Sequence, residues 1–569
     1  MKYFVPFSHR FRKPSDSAFP SHPRALPEGM SVSPPASASE FDFIIVGAGS
    51  SGCVLANRLS ASGRHRVLLL EAGPRDDYKW IHIPMGYSRT MFHPEINWGF
   101  HTEPDPGIAG RKNYWPRGKV LGGCSAINGL LWVRGQSDDF RVWESLGNKG
   151  WGWDDVLPHF KATESYAGGD GRIRGRSGET GVEDGERHEL VDAFIAGAEQ
   201  SGIPRAVDYN GAVQEGAAYF QINKRRGIRS STSIAFLRPA EARANLVIAT
   251  GAHATRIGIV NGRATSLEYM QAGVKQTARA RHEIILSAGT LQSPQLLQLS
   301  GLGPAALLQR HGIDVLKDLP GVGENMQDHL QIRLLFKCSR PVTNNDVVNS
   351  WSKRLSVRWQ YFIRRAGPMA SGINQGVLFT STRPEETHRP DIEFHFGTTS
   401  SDEPGAKPHP WSGFTMSTCQ LRPESKGRVQ IGSVDPLAAP LIQPNYLSHP
   451  LDVETALRGV RLVRKVSQSP ALSAYVKEEF QPGAAAQSDD ELLTWVRERG
   501  ATTIFHPAGT CKMGSDAMSV VDERLRVRGI GGLRVVDCSI MPIIVSGNTN
   551  AACIMIGDKA AKMILEDAG

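Results

Sequence analysis

Cysteine is scarce in this 569-residue chain: seven are spread along its length, as Cys53, Cys124, Cys338, Cys419, Cys511, Cys538 and Cys553. The number is odd and no two stand in a C-x-x-C spacing, which argues against a disulfide scaffold or a zinc site and for a reducing compartment. Long apolar runs are also missing. None approaches the roughly 18 residues of a membrane span, and the N-terminus lacks the continuous apolar stretch of a secretion signal. A cytoplasmic protein is expected, with at most peripheral contact at the inner membrane. Charge of one sign is weak too. The formal net charge is +8, and +3 of it falls in the first 29 residues. The remainder is too mildly basic for a nucleic-acid track, and the short cluster Lys224, Arg225, Arg226, Arg229 is read as a solvated turn.

Glycine is abundant, at 59 residues. It permits tight turns and close backbone approach, without by itself separating a bound dinucleotide from many loops. Residues 1–40 are rich in proline, serine and basic residues and show no periodicity. They are expected to form a disordered extension, with Met30 as an alternative start. From Phe41, FDFIIVGAG reads as a buried strand entering a glycine turn. Residues 53–62 follow with helical spacing, and RVLLLEAG at 66–73 reads as a second buried strand, giving a parallel β-α-β unit. Residues 246–270 alternate like strands joined by turns. EIILSAG at 283–289 is a further strand leading into a helix, LRVVD at 533–537 is another, and 551–565 has apolar helical periodicity. The α/β signals sit at 41–75, 245–305 and 530–569. That pattern predicts an α/β, doubly wound nucleotide-binding domain interrupted by a second domain.

Three motifs carry chemistry. In Gly47-Ala48-Gly49-Ser50-Ser51-Gly52, the first glycine allows the turn, the second lets backbone approach a pyrophosphate, and the third lets helix and strand pack closely. Glu71 ends the next strand, 19 residues after Gly52, where a carboxylate can accept from a ribose. This motif does not choose between FAD and NAD. In the second, from Arg117 to Gly129, Gly122 and Gly123 precede Asn128; bare backbone amides there can lie against a flat ring, or form an ordinary glycine-rich loop. In the third, His506 stands beside Pro507, with the polar cluster Ser546–Ala551 42 residues on. His506 is a structural or a catalytic histidine, and Asn548 either caps the last helix or shares a site with His506.

Together these stretches resemble the glucose–methanol–choline (GMC) oxidoreductases. The resemblance runs from about Phe41 to Ala568 and rests on GAGSSG with LLLEAGP, GKVLGGCSAIN, LSAGTLQSPQLLQLSGLGP, GVGENMQDHL, HPAGTCKMG and VVDCSIMPIIVSGNTNAACIMIG. Within the family the chain looks most like bacterial choline-dehydrogenase-like and alcohol-dehydrogenase members. The resemblance implies FAD as cofactor. Gly47, Gly49, Gly52 and Glu71, with Ser50 and Ser51 in the same loop, would hold its ADP half. Gly122, Gly123 and Asn128 would lie by the flavin, and Asp537 would make the second pyrophosphate and ribityl contact. His506 matches the family's active-site histidine and Asn548 its partner. Choline-oxidase-like members carry a histidine just before the asparagine of the second motif and attach FAD through it. Here that position is Ile127, so non-covalent FAD is expected and choline itself is disfavoured.

The implied reaction is oxidation of a small-molecule alcohol to an aldehyde or ketone by hydride transfer to flavin N5, with His506 as general base and Asn548 orienting the substrate oxygen. A quinone or another carrier is the expected electron acceptor; no metal and no nucleic acid are expected. The alternatives are an oxidase that forms hydrogen peroxide and a cyanohydrin lyase of the same family. Flavin photodecarboxylases of the family lack the histidine that His506 matches. The FAD-binding domain is expected at 41–160, 230–330 and 530–569. The substrate-binding domain, α+β on an antiparallel sheet, is expected at 161–229 and 331–529.

Overall fold

The computed structural model describes residues 39–372 and 374–569; the disorder expected for residues 1–40 lies outside them except at Ser39 and Glu40, which belong to a strand instead. The first strand, Ser39–Val46, is entirely buried from Phe41 onward, as an apolar run in a covered parallel sheet must be. It begins two residues before the first apolar side chain, because the backbones of Ser39 and Glu40 pair with Ala278 and Arg279 while their side chains face solvent. Ser39–Val46 lies between Val67–Glu71 and Val274–Leu286, parallel to both. Leu246–Thr250 extends the sheet beyond Val67–Glu71, again parallel. Leu533–Val535 joins the carboxyl half of Val274–Leu286 in parallel, whereas Arg263–Gln271 joins its amino half antiparallel and carries Ala252–Val260 outward.

This register collects the carboxyl ends of four strands on one edge, where open α/β sheets bind ligands. Gly47, Glu71, Ser287 and Asp537 all lie just at or past those ends. The helix Ser50–Leu59 leaves that edge and packs on the last helix, Asn550–Ala568. Arg58 ties the two through Asp558 at 2.8 Å. Contact is close enough that a Cβ at Gly557 would stand 3.0 Å from the Ser51 backbone.

A second sheet is antiparallel throughout. Its order is Val476–Gln481, Leu330–Cys338, Gly413–Gln420, Ile392–Gly397, Asn374–Thr380 and Gly216–Tyr219, with Ala501–Thr503 also on Leu330–Cys338. One face buries Phe336, Phe396 and Phe414 against Val460 and Val463 of the helix Pro450–Ser467. The pairing of Leu330 with Thr503 matters most for function. It brings the residue before one strand, His329, beside the loop after the other, which carries His506.

Candidate active site

The glycine turn is built by contact. Gly47 has φ +98°, and a Cβ there would stand 2.5 Å from the Ser287 carbonyl oxygen. At Gly52 a Cβ would stand 1.9 Å from the Gly47 carbonyl oxygen, so Gly52 serves helix–strand packing behind the site. Gly49 differs: the nearest atom to a Cβ is 3.7 Å away, and its backbone lies bare toward a cavity with Ser50 and Ser51. The two serines offer backbone to that cavity. Their hydroxyls turn to the last helix, Ser50 donating to Asn550 Oδ1 at 2.7 Å and Ser51 to the Cys553 carbonyl at 2.8 Å. The first turn of a helix carries N–H groups without intrahelical partners, which suit an anionic group. Asn550, in the same wall, adds a buried Nδ2 with no partner among the described residues.

Glu71 accepts the Ala48 N–H at 3.0 Å and the Gly73 N–H at 2.9 Å, one on each oxygen. Burial pushes its carboxyl up to about 7, against the pull of those backbone donors. The second glycine loop rests on the first. Gly122 donates to the Ala48 carbonyl at 2.8 Å and stands behind the cavity wall. Gly123, at φ +50°, lies so close that a Cβ would be 2.6 Å from Gly49 Cα. Asp537 accepts from the Gly289 N–H at 2.9 Å and from the Ser293 hydroxyl at 2.6 Å, and burial raises its pKa.

Asn128 lines the cavity, and its Oδ1 accepts from Arg229 Nη1 at 2.8 Å and from the Leu130 N–H at 3.1 Å. This corrects the reading of 224–229 as a solvated turn. Lys224 and Arg229 pair across a hairpin and both point inward, at 3% and 1% exposure; only Arg225 and Arg226 reach solvent. Arg229 has no carboxylate partner among the described residues, and burial lowers its pKa to about 9.

His506 follows Phe505, a non-glycine residue in the left-handed region at φ +66°. Such a conformation persists only where its surroundings hold it. Here Arg117 donates to the Phe505 carbonyl at 2.7 Å, and the His506 N–H donates to buried Asp328 at 2.7 Å. Asp328 also accepts from the hydroxyls of Thr503 and Tyr446.

The hydrogen-bond partners then fix the imidazole. His329 Nε2 faces the Leu421 carbonyl at 3.0 Å, which can only accept, so the neutral ring's proton is on Nε2. His329 Nδ1 is therefore an acceptor, and the donor 3.0 Å away must be His506 Nδ1–H. That leaves His506 Nε2 unprotonated, and its lone pair accepts from Asn548 Nδ2 at 3.1 Å. Burial, then the neighbouring His329, His395 and Arg117, hold the His506 pKa well below the ordinary imidazole value. Burial likewise lowers His329, to about 4.

Asn548 is thus no helix cap. The last helix starts at Asn550 behind Thr549, without a side-chain cap bond. Asn548 Oδ1 is buried and has no hydrogen-bond partner among the described residues.

One cavity of about 370 Å³ links these parts, from Gly47 and Glu71 past Gly123, Asn128 and Asp537 to His506 and Asn548. Elsewhere its wall is aromatic and apolar at Tyr87, Met91, Trp98 and Leu131, and polar at Gln331, Asn374 and His395. The charged side chains lining the cavity are Arg117 and Arg333, with Glu71 and Asp537 as its carboxylates. Sequence reasoning missed Arg117, Arg229, Asp328, His329 and His395 as parts of the site. The Asp328-His329 pair sits in a motif quoted above, but only the strand register shows that it faces His506.

A long cavity with a glycine cradle at one end and a neutral histidine–asparagine pair at the other defines a dinucleotide-dependent oxidoreductase. Residues 41–331 and 423–557 match the GMC oxidoreductase family, and the chain belongs to this family of flavoprotein oxidoreductases. The "alcohol dehydrogenase [acceptor]" of Pseudomonas putida is 41% identical over 529 residues, 92% of this chain and 96% of that protein. The "oxygen-dependent choline dehydrogenase" of Photobacterium profundum is 41% identical over 531 residues, 92% and 93% of the two chains. Among solved structures, pyridoxine 4-oxidase of Mesorbium loti superposes with a TM-score of 0.83 at 30% identity, covering 92% of this chain and 98% of that one.

Proposed function

We propose that this protein oxidises a small neutral alcohol to an aldehyde or ketone with non-covalently bound FAD. His506 takes the hydroxyl proton and Asn548 holds the substrate oxygen. The observation that carries the reading is the unprotonated Nε2 of His506, hydrogen-bonded to Asn548 in the cavity wall. An alcohol C–H is a poor hydride donor until its O–H proton leaves, so a base must sit within hydrogen-bond reach of the oxygen. Burial keeps the imidazole neutral and therefore available near pH 7. The same burial excludes water, which strengthens the Asn548 hydrogen bond to an oxygen that is losing its proton.

FAD, when bound, supplies the two-electron acceptor through its N5. The residues that would hold it are Gly47, Gly49, Ser50, Ser51 and Glu71 for the ADP half, and Gly123, Asn128 and Asp537 farther along. Gly52 and Gly122 shape the turns behind them. Ile127 presents an apolar side chain where covalent members of the family place a nucleophile. Arg117 and Arg333 line the cavity; Asp328 lies within electrostatic reach of Arg117, and Asp402 and Glu403 of Arg333, but none of these three carboxylates lines the cavity itself. That surface favours a neutral alcohol over a quaternary ammonium such as choline.

We assign the FAD-binding domain to 41–160, 230–330 and 530–569 and the substrate-binding domain to 161–229 and 331–529. All seven cysteines are free, in keeping with a cytoplasmic enzyme. It would pass electrons to a quinone or another carrier in preference to oxygen. The test is a panel of primary alcohols with an artificial acceptor in the absence of oxygen. Reduction of the acceptor by neutral alcohols, and weakly or not by choline, is expected. No turnover with any alcohol would contradict the reading.

A further inference from the structure

The helix Trp351–Arg364 turns its apolar side away from the protein. Of its residues only Tyr361 is buried. Tyr361, with half-buried Val357, packs on Ile83, Met85 and Met369, and its hydroxyl donates to the Gly227 carbonyl at 3.1 Å. At about 100° per residue, the arc facing the other way holds Trp351, Leu355, Trp359, Phe362 and Ile363. These five are 72%, 53%, 59%, 59% and 66% exposed. A surface helix ordinarily buries such a stripe against its core.

Its charge is one-sided. Lys353, Arg354, Arg358, Arg364 and the following Arg365 are basic, and no acidic residue lies between Trp351 and Arg365. Arg354 and Arg358 border the apolar arc. Exposed Arg225 and Arg226 immediately precede Gly227, which abuts Arg365, and so extend the positive surface. Glu183 and Glu186 nearby are engaged by Lys224.

We infer that this helix docks the protein on an anionic membrane surface. Trp351, Trp359 and Phe362 would enter the headgroup–acyl boundary, and the flanking arginines would meet lipid phosphates. An outward apolar arc with tryptophan and a basic border is the pattern of a helix lying in that interface. A membrane fits better than a second copy of this chain. Two-fold pairing through the arc would bring the Arg354 and Arg358 of both copies together, whereas anionic headgroups neutralise them.

Docking there also has a place in the enzyme's layout. Ile83 and Met85, on which the helix rests, lead directly to Tyr87 and Met91 of the cavity wall, and Phe92 beside them is 51% exposed. This rim would face the lipid, where apolar alcohols and lipophilic electron carriers concentrate. That last point rests on the proposed reaction; the docking itself does not.

The experiment is vesicle flotation with FAD-loaded, full-length protein. Vesicles are of phosphatidylcholine, alone or mixed with phosphatidylglycerol, at low and high salt. The wild type should float with the anionic vesicles at low salt and much less with the neutral ones. Trp359→Ser with Phe362→Ser, and separately Arg354→Glu with Arg358→Glu, should each lower binding at least about tenfold. Both variants alter exposed side chains and should keep full turnover of a water-soluble alcohol with a soluble dye. Their mass in lipid-free buffer should equal that of the wild type. Absence of flotation, or flotation unchanged in both variants, would overturn the proposal. A wild-type dimer that these substitutions split would also overturn it and assign the helix to a second copy. Because flotation is read without catalysis, failure of the alcohol chemistry leaves this result intact.

Discussion

His329 and His506 face each other through their Nδ1 atoms, 3.0 Å apart, and the Leu421 carbonyl on the far side of His329 decides which ring donates. His329 touches no cavity surface, so it acts as a positioning residue that leaves the His506 Nε2 lone pair toward the substrate. In the native enzyme, kcat/KM should stay level as pH falls through the ordinary imidazole range and drop only below it. The base must be neutral, and burial holds its pKa down. In His329→Ala one of the groups lowering that pKa is gone, so the acid limb should move to higher pH. Turnover should fall about ten- to hundredfold, the worth of one buried hydrogen bond to a polar group. An acid limb at the same pH in both proteins would contradict the assignment.

Glu71 accepts one backbone N–H on each oxygen. Glu71→Gln sets an amide NH2 against one of those donors, leaving a buried donor unpaired. FAD affinity should fall roughly ten- to hundredfold, measured by cofactor titration of the apoprotein. Unchanged affinity would remove Glu71 from the cofactor site.

Much of this was legible in the sequence because the chemistry is local. The glycine turn, its flanking strands and Glu71 all lie within Phe41–Gly73, so spacing alone conveys the β-α-β unit and the carboxylate at its end. His506 stood out beside Pro507 and Asn548 in a polar cluster farther on, but nothing in their spacing separates a cap from a catalytic partner. That distinction needed the helix to start at Asn550 and the Asn548 amide to turn toward the histidine. Asp328, His329 and Arg117 were invisible for a different reason. They act on His506 through strand register and backbone contacts between segments some 180 to 390 residues apart in the chain. Arg229 misled because a run of basic residues suggests solvent, while hairpin alternation turns every second side chain inward.

FAD should be held without a covalent bond, since Ile127 offers no nucleophile. After acid precipitation the yellow colour should stay in the supernatant. Colour that remains in the washed pellet would place an attachment at some other side chain.

Electrons should leave to a carrier more readily than to oxygen. With one good alcohol substrate, an artificial quinone or phenazine acceptor under nitrogen should be reduced quickly, and air-saturated buffer should yield little peroxide. Peroxide at a comparable rate would make the enzyme an oxidase.

The account stands on proton removal by His506 followed by loss of a hydride from the substrate carbon. Its most direct test is rapid mixing of FAD-loaded enzyme with alcohol in the absence of oxygen, following the oxidised-flavin absorbance. The wild type should bleach in a single enzyme turnover. Asn548→Ala should bleach more slowly, having lost a hydrogen bond but not the base. His506→Ala should keep its FAD and bleach about 10²- to 10⁴-fold more slowly, the usual contribution of a positioned general base. A wild type that never bleaches would point to chemistry without net oxidation, such as cyanohydrin cleavage, and a His506→Ala enzyme that bleaches at the wild-type rate would remove the histidine from the reaction.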